Sequence, residues 1–147
     1  MEVMMRPIGV IHSPFSEVEQ TPIQAARSQA LGQVEIFPEF LEGLEGLEGF
    51  SHIYLLYVFH ASTSYDLRVQ PFLDDHAHGL FATRHPCRPN PIGLSVVRLL
   101  GLKDGLLEIQ GVDVLDGTPL LDIKPYVPDF DLRTEVRAGW YEKRSKP

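Results

Sequence analysis

Cysteine is nearly missing: Cys87 is the only one in the chain. A lone thiol excludes an internal disulfide and suits a reducing compartment. Long apolar runs are missing too. The longest, "IYLLYVF" at 53–59, is far too short to span a bilayer, so no membrane partner is expected. No basic segment followed by an apolar run opens the chain, so no secretory signal is expected, and the expected location is cytoplasmic. There is no Gly-x-Gly-x-x-Gly after a strand, no Walker-type phosphate loop and no Gly-x-Ser-x-Gly elbow, which argues against a Rossmann-type cofactor domain. Positive charge is in deficit. The net charge of −7 argues against indiscriminate nucleic-acid binding. No Ser- or Gly-rich linker divides the 147 residues, and residues 1–147 are expected to form one domain with a real core.

The charge is unevenly placed. Glu35, Glu39, Glu42, Glu45 and Glu48 crowd one segment, while no acid lies between His76 and Lys103. That acid-free window holds Arg84, Arg88, Arg98 and the stretch "GLFATRHPCRPNPIGLS" at 79–95. Pro86, Pro89 and Pro91 fix φ and remove backbone donors, so neither a helix nor a central strand can run through. A stiffened loop filled with guanidinium groups fits an anionic ligand; a solvated basic face fits the charge equally well.

Alternation of apolar and polar residues predicts a strand at 6–15, ended by Pro14, and another at 32–37. Residues 17–30 are polar and aperiodic, a long loop. The repeat "LEGLEGLEG" at 41–49 can place Leu41, Leu44 and Leu47 on one face of a helical turn or two, but its glycines forbid a long helix. The strongest strand is 51–60, apolar on both faces and therefore covered on both, by a barrel interior and by another layer or a partner subunit. Shorter strands are expected at 67–72 and 79–83. Runs at 94–102, 106–115 and 119–127 are separated by Asp104-Gly105 and Asp116-Gly117, both hairpin signals, and together predict an antiparallel meander. The fold class is all-β: an antiparallel β-barrel with a few short helices.

Three constellations carry candidate chemistry. His76, His78, His85 and Cys87 are of the ligand types zinc prefers, but their spacing matches no common zinc motif, and isolated surface histidines are the favoured reading; no metal is expected. Cys87 near His85 and between Arg84 and Arg88 has the surroundings of a nucleophile, yet a small side chain supporting the loop is the favoured reading. Asp113, Asp116, Asp122, Lys124 and Tyr126 gather acid, base and phenol around the last hairpin. Asp116 has a turn explanation. Asp122 and Lys124 share one face of a strand, which is either solvent or a site.

"FATRHPCRPNPIGLSVV" followed by "DVLDGTPLLDIKPYVPDFD", with "IGVIHSPF" and "GLEGFSHIYLLYVFH" upstream, resembles the TsaA-like family, the TrmO-type tRNA methyltransferases, from residue 8 to about residue 131. The resemblance implies a β-barrel homodimer that binds S-adenosylmethionine near the subunit interface without a Rossmann domain. It implies N6-methylation of threonylcarbamoyladenosine beside the tRNA anticodon. The implied cofactor-binding residues are Ala25, Ala26, Arg27, His60, Ala61, Arg84, Leu94, Gln110, Gly111, Val112 and Asp113. Within that set, Arg84 suits the methionine carboxylate, Asp113 the ribose hydroxyls or the ammonium, and Leu94 and Val112 the adenine walls. Loss of the N6 proton calls for a base, with Asp122 the first candidate, Tyr126 the second, and Lys124 beside them. Arg88 and Asn90 are expected to meet the acceptor. His85 stands where serine is frequent in the family, and longer members carry an additional C-terminal domain. In this short form tRNA recognition is expected to fall to the barrel or dimer surface. The competing readings are a non-catalytic S-adenosylmethionine sensor and a methyltransferase acting on a small molecule or protein.

Overall fold

The computed structural model describes residues 1–17, 20–22, 28–72 and 74–143. Its strands are β1 (Gly9–His12), β2 (Leu31–Ile36), β3 (His52–Val58), β4 (Arg68–Val69), β5 (His78–Gly79), β6 (Ile92–Lys103), β7 (Leu106–Gln110) and β8 (Thr118–Pro125). Six of them close an antiparallel barrel in the order β1-β2-β7-β6-β3-β8, and β4 pairs with β5 outside it. Closure gives every barrel strand a neighbour on both sides, as the all-β expectation requires. Period-two alternation sends Ile53, Leu55 and Tyr57 inward from β3, Val97 from β6, Leu107 and Ile109 from β7, and Val34 and Ile36 from β2. The repeat at 41–49 lies in two short 3-10 helices, Pro38–Leu44 and Leu47–Gly49. From these Leu44 and Leu47 pack against the core.

The first Asp-Gly pair behaves as expected. Asp104 at φ 52° and Gly105 at φ 77° form the tight link between β6 and β7, with both residues left-handed. The second does not. Gly117 has φ 83° but Asp116 is not left-handed, and β7 and β8 are not neighbours: β7 pairs with β2 and β6, β8 with β1 and β3. The expected three-strand meander therefore stops after β7. The cause is Gly111 at φ 99°, which turns the chain off the sheet so that the run at 106–115 is a strand only to Gln110. The departing chain is caught by β1 instead, through Gly117 N–H to Ile11 O at 2.9 Å and Ser13 N–H to Asp116 Oδ1 at 3.1 Å. The expected strand at 79–83 is likewise replaced by a 3-10 turn over Leu80–Ala82, closed by Thr83 N–H to Leu80 O.

The end of β7 has a second effect. Strand β6 is 12 residues long; its residues 92–98 pair with β3 and its residues 98–103 with β7. On the β7 side of β6, residues 92–97 have no strand partner among the described residues. The barrel is sealed over the far half of β6 and splayed over the near half.

Gly93 lies opposite Tyr57 in the β3–β6 register. A Cβ there would stand 2.1 Å from the Tyr57 ring, so the phenol occupies the volume a larger residue would need. Gly93→Ala should destabilise the protein by about 1–3 kcal/mol through overpacking. A melting temperature within 1 °C of the parent would contradict that fit.

Candidate functional site

The splay between β6 and β7 is filled by a cleft of about 610 Å³, lined by Arg84, Leu94, Ser95, Val96, Gln110 and Gly111 among others. That volume is in the range of small-molecule sites. Ser28 and Gln29 close one side, and His52, Tyr54 and Arg98 extend the other. Four residues expected to bind cofactor, Arg84, Leu94, Gln110 and Gly111, meet here. Leu94 is 46% exposed, an apolar side chain offered to the cleft. Asp113 stands behind the lining: Ser95 donates to its Oδ1 at 2.6 Å. Val112 differs from expectation. Its side chain is 1% exposed and belongs to the core, so it cannot wall a ligand except through its backbone. His60 and Ala61 form an exposed turn after β3 and are not cleft-lining. Ala25, Ala26 and Arg27 lie outside the described residues.

The loop at 83–92 is held from several sides. Thr83, nearly buried, donates its hydroxyl to Leu80 O at 2.7 Å and accepts from His85 N–H at 3.2 Å. His85 Nδ1 accepts the Cys87 N–H at 3.2 Å. Phe59 N–H to Pro91 O at 2.8 Å ties the far end to β3. Arg88 sends Nη1 to Thr83 O at 2.9 Å and His85 O at 3.0 Å, with its guanidinium 5.8 Å from the Phe81 ring centroid. An arginine read as facing the acceptor thus also clamps its own loop. Cys87 is half-buried, in keeping with a supporting role.

Asp122, Lys124 and Tyr126 lie on the outer face of the same sheet. Asp122 pairs with Leu56, which pairs with Leu94; Lys124 pairs with Tyr54, which pairs with Val96. Lys124 is thus one strand from the cleft-lining Tyr54, whereas Asp122 is two strands from Leu94, about 10 Å at the usual interstrand spacing. Lys124 Nζ meets Asp122 Oδ2 at 3.1 Å, and Ile123 N–H binds Asp122 Oδ1 at 2.9 Å. Tyr126 packs on Tyr54 at 5.8 Å and on His52 at 6.5 Å between ring centroids. Burial and the Asp131 carboxylate push the Tyr54 phenol above its ordinary value. His52, Tyr54 and Val96 were not singled out by sequence, and Arg98 only as a cation of the acid-free window. Extending the i, i+2 alternation from Leu94 would have found Val96 and Arg98.

A larger depression of about 1190 Å³ is lined by Asp74, His76, His78 and Trp140 and contains none of the loop at 83–92. It separates the four zinc-type residues: His76 and His78 pair with Asp75 and Asp74, whereas His85 and Cys87 bond within the loop. Trp140 stacks on His78 at 5.1 Å and donates Nε1–H to Ala82 O at 2.7 Å, beside the loop's start. The His78 hydrogen bond holds the Asp74 carboxyl down at about 2, and Asp75 raises the His76 imidazole.

Two outcomes follow from this arrangement. A carboxyl lowered in the folded state stabilises above its unfolded pKa and ceases to do so as pH falls through the folded one. The stability gap between the parent and Asp74→Asn should therefore narrow as pH drops from 3.8 toward about 2 in acid-unfolding curves. Arg88→Ala should cost about 1–3 kcal/mol and speed amide exchange across 83–92. Arg88→Lys should recover only part, because an ammonium is a point charge; unchanged exchange in Arg88→Ala would show that the clamp is dispensable.

Known proteins resemble this chain over most of its length. The family model of the tRNA-methyltransferase O N-terminal domain matches residues 10–132. A Pyrococcus abyssi protein named as a probable S-adenosyl-L-methionine-binding protein is 58% identical over 96% of this chain and 77% of its own length. The mouse tRNA (adenine(37)-N6)-methyltransferase is 41% identical over 88% of this chain, but only 32% of that enzyme is covered. A crystal structure of TrmO from Pseudomonas aeruginosa superposes with a TM-score of 0.81 at 45% identity, covering 95% of this chain and 62% of that one. The chain belongs to the family of the tRNA-methyltransferase O N-terminal domain.

Proposed function

We propose that this chain is an S-adenosylmethionine-dependent methyltransferase acting on N6 of threonylcarbamoyladenosine beside the anticodon of tRNA. The observation that carries the reading is the convergence of Arg84, Leu94, Gln110 and Gly111 on one cleft at the barrel's splayed seam. The chemistry of the cleft suits the cofactor: a guanidinium for a carboxylate, and an apolar Leu94 and Val96 for an adenine ring. S-adenosylmethionine, when bound, supplies a methyl group on a sulfonium, open to in-line displacement. Arg84 orients the amino-acid end, and Asp113 accepts from the ribose hydroxyls or the ammonium. On the acceptor side Asp122, or failing it Tyr126, takes the N6 proton; Lys124, held by its ion pair, and the loop residues Arg88 and Asn90 meet acceptor phosphate or bases. The protein's share of catalysis is alignment and exclusion of water.

A homodimer belongs to the same reading. Ile92, Leu94, Val96 and Leu100 form an exposed apolar row on the outer face of β6, continuous with Leu56 and Tyr54 of β3. An acidic chain with tRNA as substrate is best served by a surface assembled from two subunits, in the cytoplasm where tRNA is found. A second reading, a cofactor-binding sensor without turnover, is favoured by the name carried by the Pyrococcus abyssi relative.

Calorimetric titration with S-adenosylmethionine should show binding, with a matching rise in melting temperature. Arg84→Ala should weaken it roughly ten- to hundredfold, the worth of a charge-assisted hydrogen bond. No heat at millimolar cofactor would sink the cofactor claim. Binding without methylation of tRNA bearing the threonylcarbamoyl group, read by nucleoside mass spectrometry, would favour the sensor. Light scattering should give twice the mass of one chain, reduced by Leu100→Asp; a single-chain mass for the parent at tens of micromolar would exclude the dimer.

A further inference from the structure

Inside the barrel a polar chain runs from its interior to the cleft. Tyr57 is 3% exposed and Ser95 5% exposed, yet both hydroxyls are bonded: Tyr57 Oη lies 2.7 Å from Ser95 Oγ, and Ser95 Oγ lies 2.6 Å from Asp113 Oδ1. The direction of the chain follows from counting protons. A serine hydroxyl has one hydrogen, and here the carboxylate takes it, so Tyr57 must donate to Ser95. Burial, and then the Asp113 carboxylate, push the Tyr57 phenol well above its ordinary value, so the donor keeps its proton across the working pH range.

Packing alone does not require this hydroxyl. Tyr57 sits over Gly93, where no Cβ competes with its ring, and Phe59 meets the ring edge-on at 5.5 Å. A phenylalanine would fill the same space without placing a polar atom in an apolar barrel, where an unbonded one is costly. The hydroxyl's partner is Ser95, which also lines the cleft. Ser95's own partner, Asp113, belongs to the irregular segment released from the sheet at Gly111. Three elements are therefore joined at one point: β3, β6 and the β7–β8 connection.

We propose that Tyr57 and Ser95 are positioning residues that fix the Asp113 carboxylate at the cleft for S-adenosylmethionine. The inference rests on the reading of Asp113 as a cofactor-binding residue. Rigid barrel strands thereby set one oxygen of a carboxylate carried by a segment that no strand ladder holds. A preorganised acceptor loses less ordering entropy when ligand arrives.

The test is a double-mutant cycle read by calorimetric titration of the intact protein with S-adenosylmethionine, with thermal unfolding as the check on folding. Tyr57→Phe removes one oxygen and keeps the ring; Ser95→Ala removes the relay. Each should raise Kd about three- to tenfold, the scale of one hydrogen bond, while Asp113→Asn raises it at least as much. In the Asp113→Asn background, adding Tyr57→Phe should change Kd by less than about twofold, because its route of action is gone. A purely structural role for Tyr57 would give the same loss in both backgrounds and would overturn the proposal. So would Tyr57→Phe and Ser95→Ala binding as tightly as the parent while Asp113→Asn binds weakly. If Asp113→Asn itself binds as the parent does, the reading of Asp113 fails, and the proposal with it.

Discussion

The constraint on which the rest depends is the left-handed backbone at Gly111. It ends β7 at Gln110 and leaves the first half of β6 without its neighbour on that side. A continuous β7 would have sealed the barrel and left no seam. Instead β6 serves two masters, pairing with β3 early and with β7 late, and the wedge between them becomes the cleft. The same turn sets Asp113 where Ser95, a lining residue, donates to it. One backbone conformation thus opens the cavity and leaves a carboxylate behind its lining.

Rigidity comes from opposite sources on the two sides of the seam. The loop at 83–92 is stiffened locally by prolines and by Arg88, which binds two carbonyls of its own loop. The segment after Gly111 has few such local restraints and is held by long-range bonds to Ser95, Phe15 and Ile11. Both solutions limit the entropy lost when a ligand is ordered. They differ in their failure modes: removing Arg88 loosens the loop that carries Arg84, whereas removing Ser95 disturbs the carboxylate opposite.

The outer face of the barrel joins the two halves of the proposed chemistry. Rows of paired residues run Leu94–Leu56–Asp122 and Val96–Tyr54–Lys124 across three strands. The proposed donor site in the cleft and the proposed base on β8 thereby share one surface with a fixed register. That surface is also the most apolar exposed part of β6. If a second subunit covers part of it, the cleft gains a wall and loses water, which strengthens every charge interaction inside.

Sequence alone determined the barrel, because alternation and turn chemistry are local. The strand at 51–60, the Asp104-Gly105 turn and the exclusion of regular structure from the proline loop all follow from neighbours in the chain. It also determined Arg84 and Leu94 as candidates, through a motif dense enough to be recognised. What it could not determine was any pairing between distant elements. Asp116-Gly117 carries the same dipeptide as the first hairpin, yet β8 went to β1 and β3, since closing a six-strand cylinder outweighs a local turn preference. The resemblance implied Val112 as a wall residue, but the turn at Gly111 draws it into the core. Tyr57 reads as one more aromatic on a buried strand. Only the register of β3 against β6, with Gly93 vacant beneath its ring and Ser95 between it and Asp113, turned that aromatic into a hydrogen-bond donor. Such a role depends on three segments meeting, and no local pattern encodes the meeting.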